Sequence, residues 1–305
     1  MAGLKAIKTK IRSVEKTKKV TKAMEAVSAA KMRKAQQRAL SGRSYARAAV
    51  SILSRVSGSR EVANHPLVRG TEEKSSALYI VITSDKGLAG ALNSAVLRAS
   101  FKDIEESGLA KEKISILAVG RKANDFFMNR GFSVEAFYPN TDEITSSVVG
   151  IVVDDAALRF ANAEVDVVKI AYQNFISTFE QRPTLRTVFP LSLEELKTVV
   201  SDIVPARGAF AEAEAPEAPH TYTIEPSEGD ILNAIIPKLA GIFVYHALLE
   251  SQASEHSARM VSMKSASDKA GEMRDTLTLK FNKARQAAIT REVSEITGGM
   301  EAMAH

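Results

Sequence analysis

The sequence predicts an α/β fold in which a Rossmann-like α/β domain is inserted between the two arms of an antiparallel coiled coil. Three observations predict it. A long proline-free stretch near the C-terminus carries a narrow apolar stripe at helical spacing, and the N-terminal stretch carries a second one. Between them, buried-strand patterns alternate with amphipathic helices. Each long helix needs a partner for its stripe, and the two ends of one chain can supply it to each other.

The predicted C-terminal helix is unusually long. Residues 248–299 contain no proline, and a helix of that length would run roughly 75 Å at about 1.5 Å per residue. Its apolar or small residues recur in steps of three, four and seven, with charges of both signs between them. They are Leu249, Ala253, Met260, Met263, Ala270, Leu277, Phe281, Ala284 and Ala288.

The N-terminal helix is predicted over residues 3–57. Its stripe starts at a heptad-like spacing and is expected to drift along the helix surface. The stripe residues are Leu4, Ile7, Ile11, Val14, Val20, Met24, Val27, Met32, Leu40, Val50 and Leu53.

The middle of the chain alternates predicted strands with helices, which favours a parallel-type sheet covered on both faces. Strands are expected at 77–83, 113–120, 132–138, 164–175 and 184–191. The chain therefore divides into an N-terminal helix (1–57), a loop (58–75), the α/β domain (76–200), an acidic Ala/Pro-rich loop with a connecting segment (201–227) and a C-terminal helix (228–305). Pro237 and Gly241 predict a kink or uneven packing early in that last helix.

Composition excludes several classes of function. The chain has no cysteine, so it has no disulfide, thiolate metal ligand or thiol nucleophile. The N-terminus lacks a signal-peptide pattern, and no run of about eighteen apolar residues stands out, so a membrane-spanning helix is not expected. The net charge of +5 is uneven, because residues 1–60 carry 16 Lys and Arg against Glu15 and Glu25. This charge asymmetry points to a partner for the basic arm, but nucleic acid, a protein with acidic loops and plain solvation fit equally well on charge alone.

No motif predicts catalysis. Residues 81–93 (VITSDKGLAGALN) follow a strand and precede a helix, but they match neither common phosphate-binding glycine pattern. Ser84 or Asp85 is expected to cap that helix instead. The five histidines lack metal-ligand spacing, and His256, on the helix stripe, is expected to be packed or to face a partner. We expect no catalytic residues, no metal site and no cofactor.

Several motifs resemble the gamma subunit of bacterial F-type ATP synthase. The resemblance lies in MAGLKAIKTKIRSVEKTKKVTKAMEAVSAAKMRK, NHPLV, TSDKGLAGALN, SEHSARMVSMKSASDKAGEM and NKARQAAITREVSEITGG, which together reach from end to end. Two features depart from the family. Met300 stands where the family usually has alanine, and the loop at 207–220 is unusual.

The resemblance implies a non-catalytic rotor subunit, one copy per complex. Its coiled coil would turn inside a ring of three alpha and three beta subunits. Its α/β domain would sit with the epsilon subunit on the c ring, so that proton flow drives ATP synthesis on the beta subunits. It would contact the membrane only through the c ring, on the cytoplasmic face of the bacterial cell membrane. The alternative that remains is a coiled-coil protein that binds nucleic acid through its basic arm.

The resemblance also implies subunit-contact residues. Met24, with Lys22 beside it, corresponds to a position facing a lever loop of the beta subunit. Arg285, Gln286 and Thr290, with Glu292 beyond them, correspond to a polar patch that hydrogen-bonds a catch loop of the alpha–beta ring. Tyr222 and Glu225 match a loop that rests on the c ring.

Overall fold

The computed structural model describes residues 2–41, 65–70, 75–141, 146–192 and 228–303. Its helices are α1 (Ala2–Ser41), α2 (Leu92–Ser107), α3 (Arg121–Met128), α4 (Ser146–Ala161) and α5 (Glu228–Met303), with a short 3₁₀ turn at Lys111–Lys113. Its strands are β1 (Ala77–Ile82), β2 (Ile114–Val119), β3 (Ser133–Tyr138), β4 (Val167–Phe175) and β5 (Gln181–Phe189). All five predicted strands of the α/β domain are therefore present, and α5 begins at the predicted residue.

The five strands form one sheet in the order β3-β2-β1-β4-β5. The first four are parallel to one another, as the alternating pattern predicts. The last strand, β5, whose direction the sequence left open, pairs antiparallel with β4. Only residues 176–180 join these two strands, and so short a link allows a hairpin but no crossover.

The centre of the sheet is buried on both faces, and β1 and β2 are apolar at nearly every position. Leu78, Ile80 and Ile82 point to a core shared with α4 and the first part of α5. Tyr79 and Val81 point to a second core shared with α2 and α3. Burial on both faces is what keeps β1 and β2 continuously hydrophobic.

The expectation that no stretch could cross a membrane is too strong. One helical segment, Ala234–Thr297, contains an 18-residue window that is apolar enough by length and composition, and 61% of that window is buried inside the protein. Packing accounts for this apolarity, since Ile236, Leu239 and Phe243 belong to the core on the sheet. The helix also continues through Pro237.

The chain groups into two compact units. The first takes in α1 up to Ala29 and α5 from Arg259 onward, and the second takes in Ala30–Ala258. Residues 42–57 of the predicted N-terminal helix, and the whole connecting segment 201–227, lie outside the described residues.

A half-buried polar network joins α2 to the sheet. The Tyr79 hydroxyl donates to Asp103 Oδ2 at 2.7 Å, and Lys169 Nζ lies 2.6 Å from the same oxygen. Burial and the Asp103 carboxylate raise the pKa of Tyr79. We expect Asp103→Asn to lower the free energy of unfolding by about 1–2 kcal/mol, because Lys169 loses its counter-charge. Urea unfolding of the full chain measures it.

The matched control is Glu106→Gln. The Lys102–Glu106 pair lies on the same helix, and both side chains are mostly exposed, so the expected change is below about 0.5 kcal/mol. Equal shifts of the urea midpoint in the two variants would contradict a stabilising role for the network.

A second network holds the first residues of β1 and β4 together. Asp166 Oδ2 accepts hydrogen bonds from the hydroxyl and backbone N–H groups of Ser75 and Ser76. These bonds, the Ser75 hydroxyl first, lower the pKa of Asp166. A carboxylate with a lowered folded-state pKa stabilises the fold above its unfolded pKa of about 3.9, and that stabilisation is lost as the pH falls toward the folded value.

We therefore expect acidification from pH 5 to pH 3 to weaken the wild-type chain more than Asp166→Asn. Denaturant unfolding at the two pH values measures this. An identical loss in both proteins would show that Asp166 does not contribute to acid sensitivity.

Candidate functional site

The inward face of α1 follows a strict heptad register. Buried or half-buried residues that recur in steps of three and four form this face, and Met24, Ala29 and Lys31 beside it are also half-buried. The residues of the face are Leu4, Ile7, Ile11, Val14, Lys18, Thr21, Glu25, Ser28, Met32 and Ala35. The sequence predicts the first four and Met32. From Lys18 to Ser28 the same register continues with charged or small polar residues, and it is the backbone period that keeps them on this face.

The predicted stripe of α5 agrees closely with the observed burial. All nine of its predicted residues are buried or half-buried. Ser267, Gly271 and Arg274 join the same face, so that the first unit presents an unbroken three-and-four spacing from Met260 to Ala288. Between these positions the side chains are mostly exposed and charged or polar.

Within the first unit, Lys18 contacts α5 at Gly271. A Cβ at Gly271 would lie 3.1 Å from Lys18 Nζ, so the missing side chain makes room for the lysine. In an antiparallel pair, the part of α1 before Lys18 lies toward the part of α5 after Gly271, so Ile7 and Ile11 lie on the side of Leu277 and Phe281. The seam is thus apolar toward the start of α1 and more polar around Lys18.

The prediction that Val20 and Val27 belong to the seam is wrong. Their side chains are 58% and 55% exposed. The sequence pattern assigned them to the stripe because they are apolar. The heptad period instead places Thr21 and Ser28 inward, at 8% and 3% exposure. Val20 and Val27 lie on an outward face of α1, seven residues apart.

Lys22 lies on the outer part of this helix, and Met24 lies at the border of its inward face. Lys22 is exposed and forms an ion pair with Glu25, with Nζ 3.1 Å from Oε2. Met24 is half-buried. Exposed lysines at positions 16, 19 and 22 leave this surface strongly basic.

Arg285, Gln286, Thr290 and Glu292 are all exposed on α5. The Thr290 hydroxyl donates to the backbone carbonyl oxygen of Gln286 at 3.0 Å. At 100° per residue, Arg285 and Glu292 share one face of the helix and Gln286 and Thr290 share the next. Exposed Ile289 and Val293 lie between these two faces, so the four residues form two neighbouring polar groups. Tyr222 and Glu225 lie outside the described residues.

The loop after β1 is used for packing. The prediction that Ser84 or Asp85 caps α2 is wrong, because the N-cap of α2 is Ala91 and no side chain caps it. Asp85 Oδ1 instead accepts from the backbone N–H of Arg121 at 2.8 Å, and Thr83 Oγ1 from that of Ala123 at 2.8 Å. Both therefore cap α3, the helix after the neighbouring strand. Ser84 bonds with Asn93.

The carboxyl edge of the sheet, where α/β folds commonly bind nucleotides, carries side chains of α5. Gln252 Nε2 donates to Thr141 O at 2.6 Å, and the Ser257 hydroxyl donates to Thr178 O at 2.7 Å. His256 is buried, as expected for a packed residue. Among the described residues, no group of three or more His, Cys, Asp or Glu side chains is arranged to hold a metal ion.

A long coiled coil with a polar outer surface, combined with a five-stranded α/β domain, defines a stalk-type subunit. A sequence model of the ATP synthase family matches residues 3–303. The ATP synthase gamma chains of Staphylococcus saprophyticus and Pelotomaculum thermopropionicum are each 38% identical over 99% of this chain and 100% of their own length. The chain belongs to the ATP synthase gamma chain family.

Solved structures share the fold. A chain of the Euglena gracilis mitochondrial ATP synthase, in an assembly with F1 and the c-ring, is 19% identical, with a TM-score of 0.65 over 99% of this chain and 95% of its own. A central stalk/c-ring chain from Tetrahymena thermophila is 24% identical, with a TM-score of 0.59 over 81% of this chain and 99% of its own. Neither the family nor the fold supports the nucleic-acid alternative.

Sequence reasoning missed two features of the paired helices. It did not find the polar inward positions Lys18, Thr21 and Ser28, and it did not pair Gly271 with Lys18. Alternating steps of three and four residues from Leu4 lead to Lys18, Thr21 and Ser28, so this spacing would have identified them. No pattern within α1 identifies the glycine on the other helix, because that contact depends on the relative register of the two helices.

Proposed function

We propose that this chain is the non-catalytic rotor shaft of an F-type ATP synthase. The supporting observation is its end-to-end match to gamma chains at 38% identity, together with paired helices whose apolar seam is satisfied within the chain. Since that seam is internal, the outer surface is free to meet other subunits. Its mixed polarity suits a contact that must form and break during rotation, because exposed ion pairs contribute only about 0–1 kcal/mol each.

The proposed partners are three alpha and three beta subunits around the paired helices, and the epsilon subunit and c ring at the α/β domain. Proton-driven turning of the c ring would turn this chain and so drive ATP synthesis on the beta subunits. The chain would therefore be a peripheral membrane protein on the cytoplasmic face of the bacterial cell membrane. The proposed domain division is 1–57, 58–75, 76–200, 201–227 and 228–305.

Reconstitution tests this role. The purified chain alone should show negligible ATP hydrolysis, and its addition to cognate alpha and beta subunits should restore hydrolysis in a complex holding one copy of it. Failure to restore hydrolysis, or two copies per complex, would contradict the proposal.

We propose Lys22, Met24, Arg285, Gln286, Thr290 and Glu292 as residues that contact the ring, and Tyr222 and Glu225 as residues that contact the c ring. The polar residues on α5 give the clearest test. Gln286→Ala and Thr290→Ala should each lower the turnover of the reconstituted complex about 2–10-fold, the equivalent of one hydrogen bond. Steady-state ATP hydrolysis measures it.

Thr278→Ala is the matched control. Thr278 is exposed on the same helix and makes the same bond to the carbonyl four residues earlier, 2.8 Å to Arg274 O. Its loss should leave turnover unchanged. If all three variants behave alike, Gln286 and Thr290 are ordinary surface residues.

A further inference from the structure

A pocket of about 470 Å³ lies at the amino ends of β2 and β3, on the α2 side of the sheet. Its walls are apolar and come from Phe101, Ile104, Leu109, Ile114 and Phe132. The pocket lies at the opposite edge of the sheet from the α5 contacts of Gln252 and Ser257. None of these residues is among the subunit contacts proposed above.

The aromatic wall is rigidly built. Phe101 packs edge-to-face against Phe126 and Phe132, with ring centroids 6.3 Å apart in both pairs. Phe127, which is fully buried, packs edge-to-face against both of those rings in turn. Because this four-ring cluster is anchored in the core, the pocket cannot close by a simple movement of one side chain.

Two cations are held at the rim. The Arg130 guanidinium lies 3.6 Å from the centre of the Phe126 ring and 5.8 Å from that of Phe101. The Lys111 ammonium lies 4.9 Å from the centre of the Phe132 ring and donates to the Arg130 carbonyl oxygen. Stacking and hydrogen bonding restrain both side chains, so a ligand that meets them loses little of their rotamer freedom.

The one acidic residue of the lining is Glu105, so the charged groups of the pocket sum to +1. We propose that the pocket binds a small amphipathic anion, with an aromatic or branched aliphatic body and one carboxylate or sulfonate group. The apolar body would fill the phenylalanine-lined cavity, and the anionic group would meet Lys111 and Arg130. The volume lies within the usual range of about 300–1,000 Å³ for small-molecule sites.

The test uses 8-anilinonaphthalene-1-sulfonate as the probe on the full chain. Its fluorescence should titrate to one site with a dissociation constant of roughly 10–100 μM, as ligand efficiency allows for about 20 heavy atoms. 4-Phenylbutyrate should displace it, and the neutral 4-phenylbutanol should be at least about 5-fold weaker, since a nearby charge pair is worth on the order of 1 kcal/mol. If the acid and the alcohol displaced the probe equally well, the anionic group would not contribute to binding, and the proposal would be overturned.

Charge variants test the rim. Lys111→Gln and Arg130→Gln should each weaken binding about 3–10-fold, and Glu105→Gln should tighten it about 2–3-fold because a repulsive charge is removed. Arg130→Lys keeps the charge and should retain most of the affinity if the ring cluster is intact. Lys102→Gln, on the same helix but outside the lining, is the matched control and should change nothing.

The position of the ligand can be read separately. Methyl resonances of Ile104 and Ile114, which are 4% and 1% exposed, should shift on adding 4-phenylbutyrate. Binding that shifts neither methyl, or that is unaffected by the three rim charges, would place the probe elsewhere and overturn the assignment. Neither outcome depends on whether the chain acts as a rotor.

Discussion

Leu277→Asp is expected to separate the paired helices of the first unit. Leu277 is half-buried on the seam face of α5. The change removes apolar burial and introduces a carboxylate where the opposite helix is apolar, at a cost of about 2–4 kcal/mol. Two paired helices have little other packing to compensate, so thermal unfolding followed by circular dichroism should show an early loss of helix.

The matched control is Leu279→Asp. Leu279 is two residues further along the same helix and 74% exposed, so the same substitution there should change stability by less than about 0.5 kcal/mol. In the reconstituted complex, only Leu277→Asp should prevent incorporation of the chain. Comparable melting of both variants would mean that the seam does not hold the helices together.

Gly120→Ala is expected to unfold the α/β domain. Gly120 joins β2 to α3 with φ at +97°, which L side chains rarely adopt, and an added Cβ would lie 2.1 Å from the Thr83 carbonyl oxygen. That oxygen also accepts the Asn140 amide at 2.8 Å, so it cannot move freely. Strained backbone and a backbone clash together should cost on the order of 4 kcal/mol or more.

Gly150→Ala provides the comparison. Gly150 lies within α4 and no atom outside its own helix approaches an added Cβ within 4 Å, so alanine there should be neutral or stabilise by up to about 1 kcal/mol. Urea unfolding monitored by far-UV circular dichroism measures both variants. A soluble, fully folded Gly120→Ala protein with an unchanged midpoint would show that β2 and α3 can rearrange at little cost.

From Met263 onward, one face of α5 packs within the protein and the other faces stay exposed. Residues on the seam face pack against α1, and polar residues such as Gln286 and Thr290 remain exposed. From Ile289 onward the helix continues beyond the position opposite the first residues of α1, and Ile289, Val293 and Ile296 are all more than half exposed. This end of the helix is therefore available to other subunits.

The existence and type of the main elements could be predicted from the sequence because their periods are strong. Continuous apolar runs predicted β1 and β2, and the spacing from Met260 to Ala288 predicted the seam of α5. The prediction of which side chains are buried failed where the polarity of a residue did not match its position on the helix. Val20 and Val27 are apolar yet face outward, and Lys18 is charged yet lies at the seam. The period of the helix, and not the polarity of each residue, determines which side chains face the partner helix.

The direction of β5 and the capping partners could not be predicted from local patterns. The residue pattern of a strand does not indicate whether it runs parallel or antiparallel to its neighbour. The short link at 176–180 is what makes β5 antiparallel to β4. Asp85 looked like a cap for the next helix in the chain, but parallel strand pairing brings α3 closer to it. Such contacts join residues 36 positions apart, so no local pattern reveals them.

By itself, the sequence determined that two long helices flank an α/β domain and that each carries a seam, because periodicity is a local property. It also carried the family motifs, and with them the candidate contacts at Lys22, Met24 and Arg285 to Glu292. Only the tertiary structure decided that Gly271 accommodates Lys18, that side chains of α5 reach the carboxyl edge of the sheet, and that two phenylalanine rings and two cations line a pocket. Those arrangements depend on distances between residues far apart in the chain, which are set only when the elements pack together.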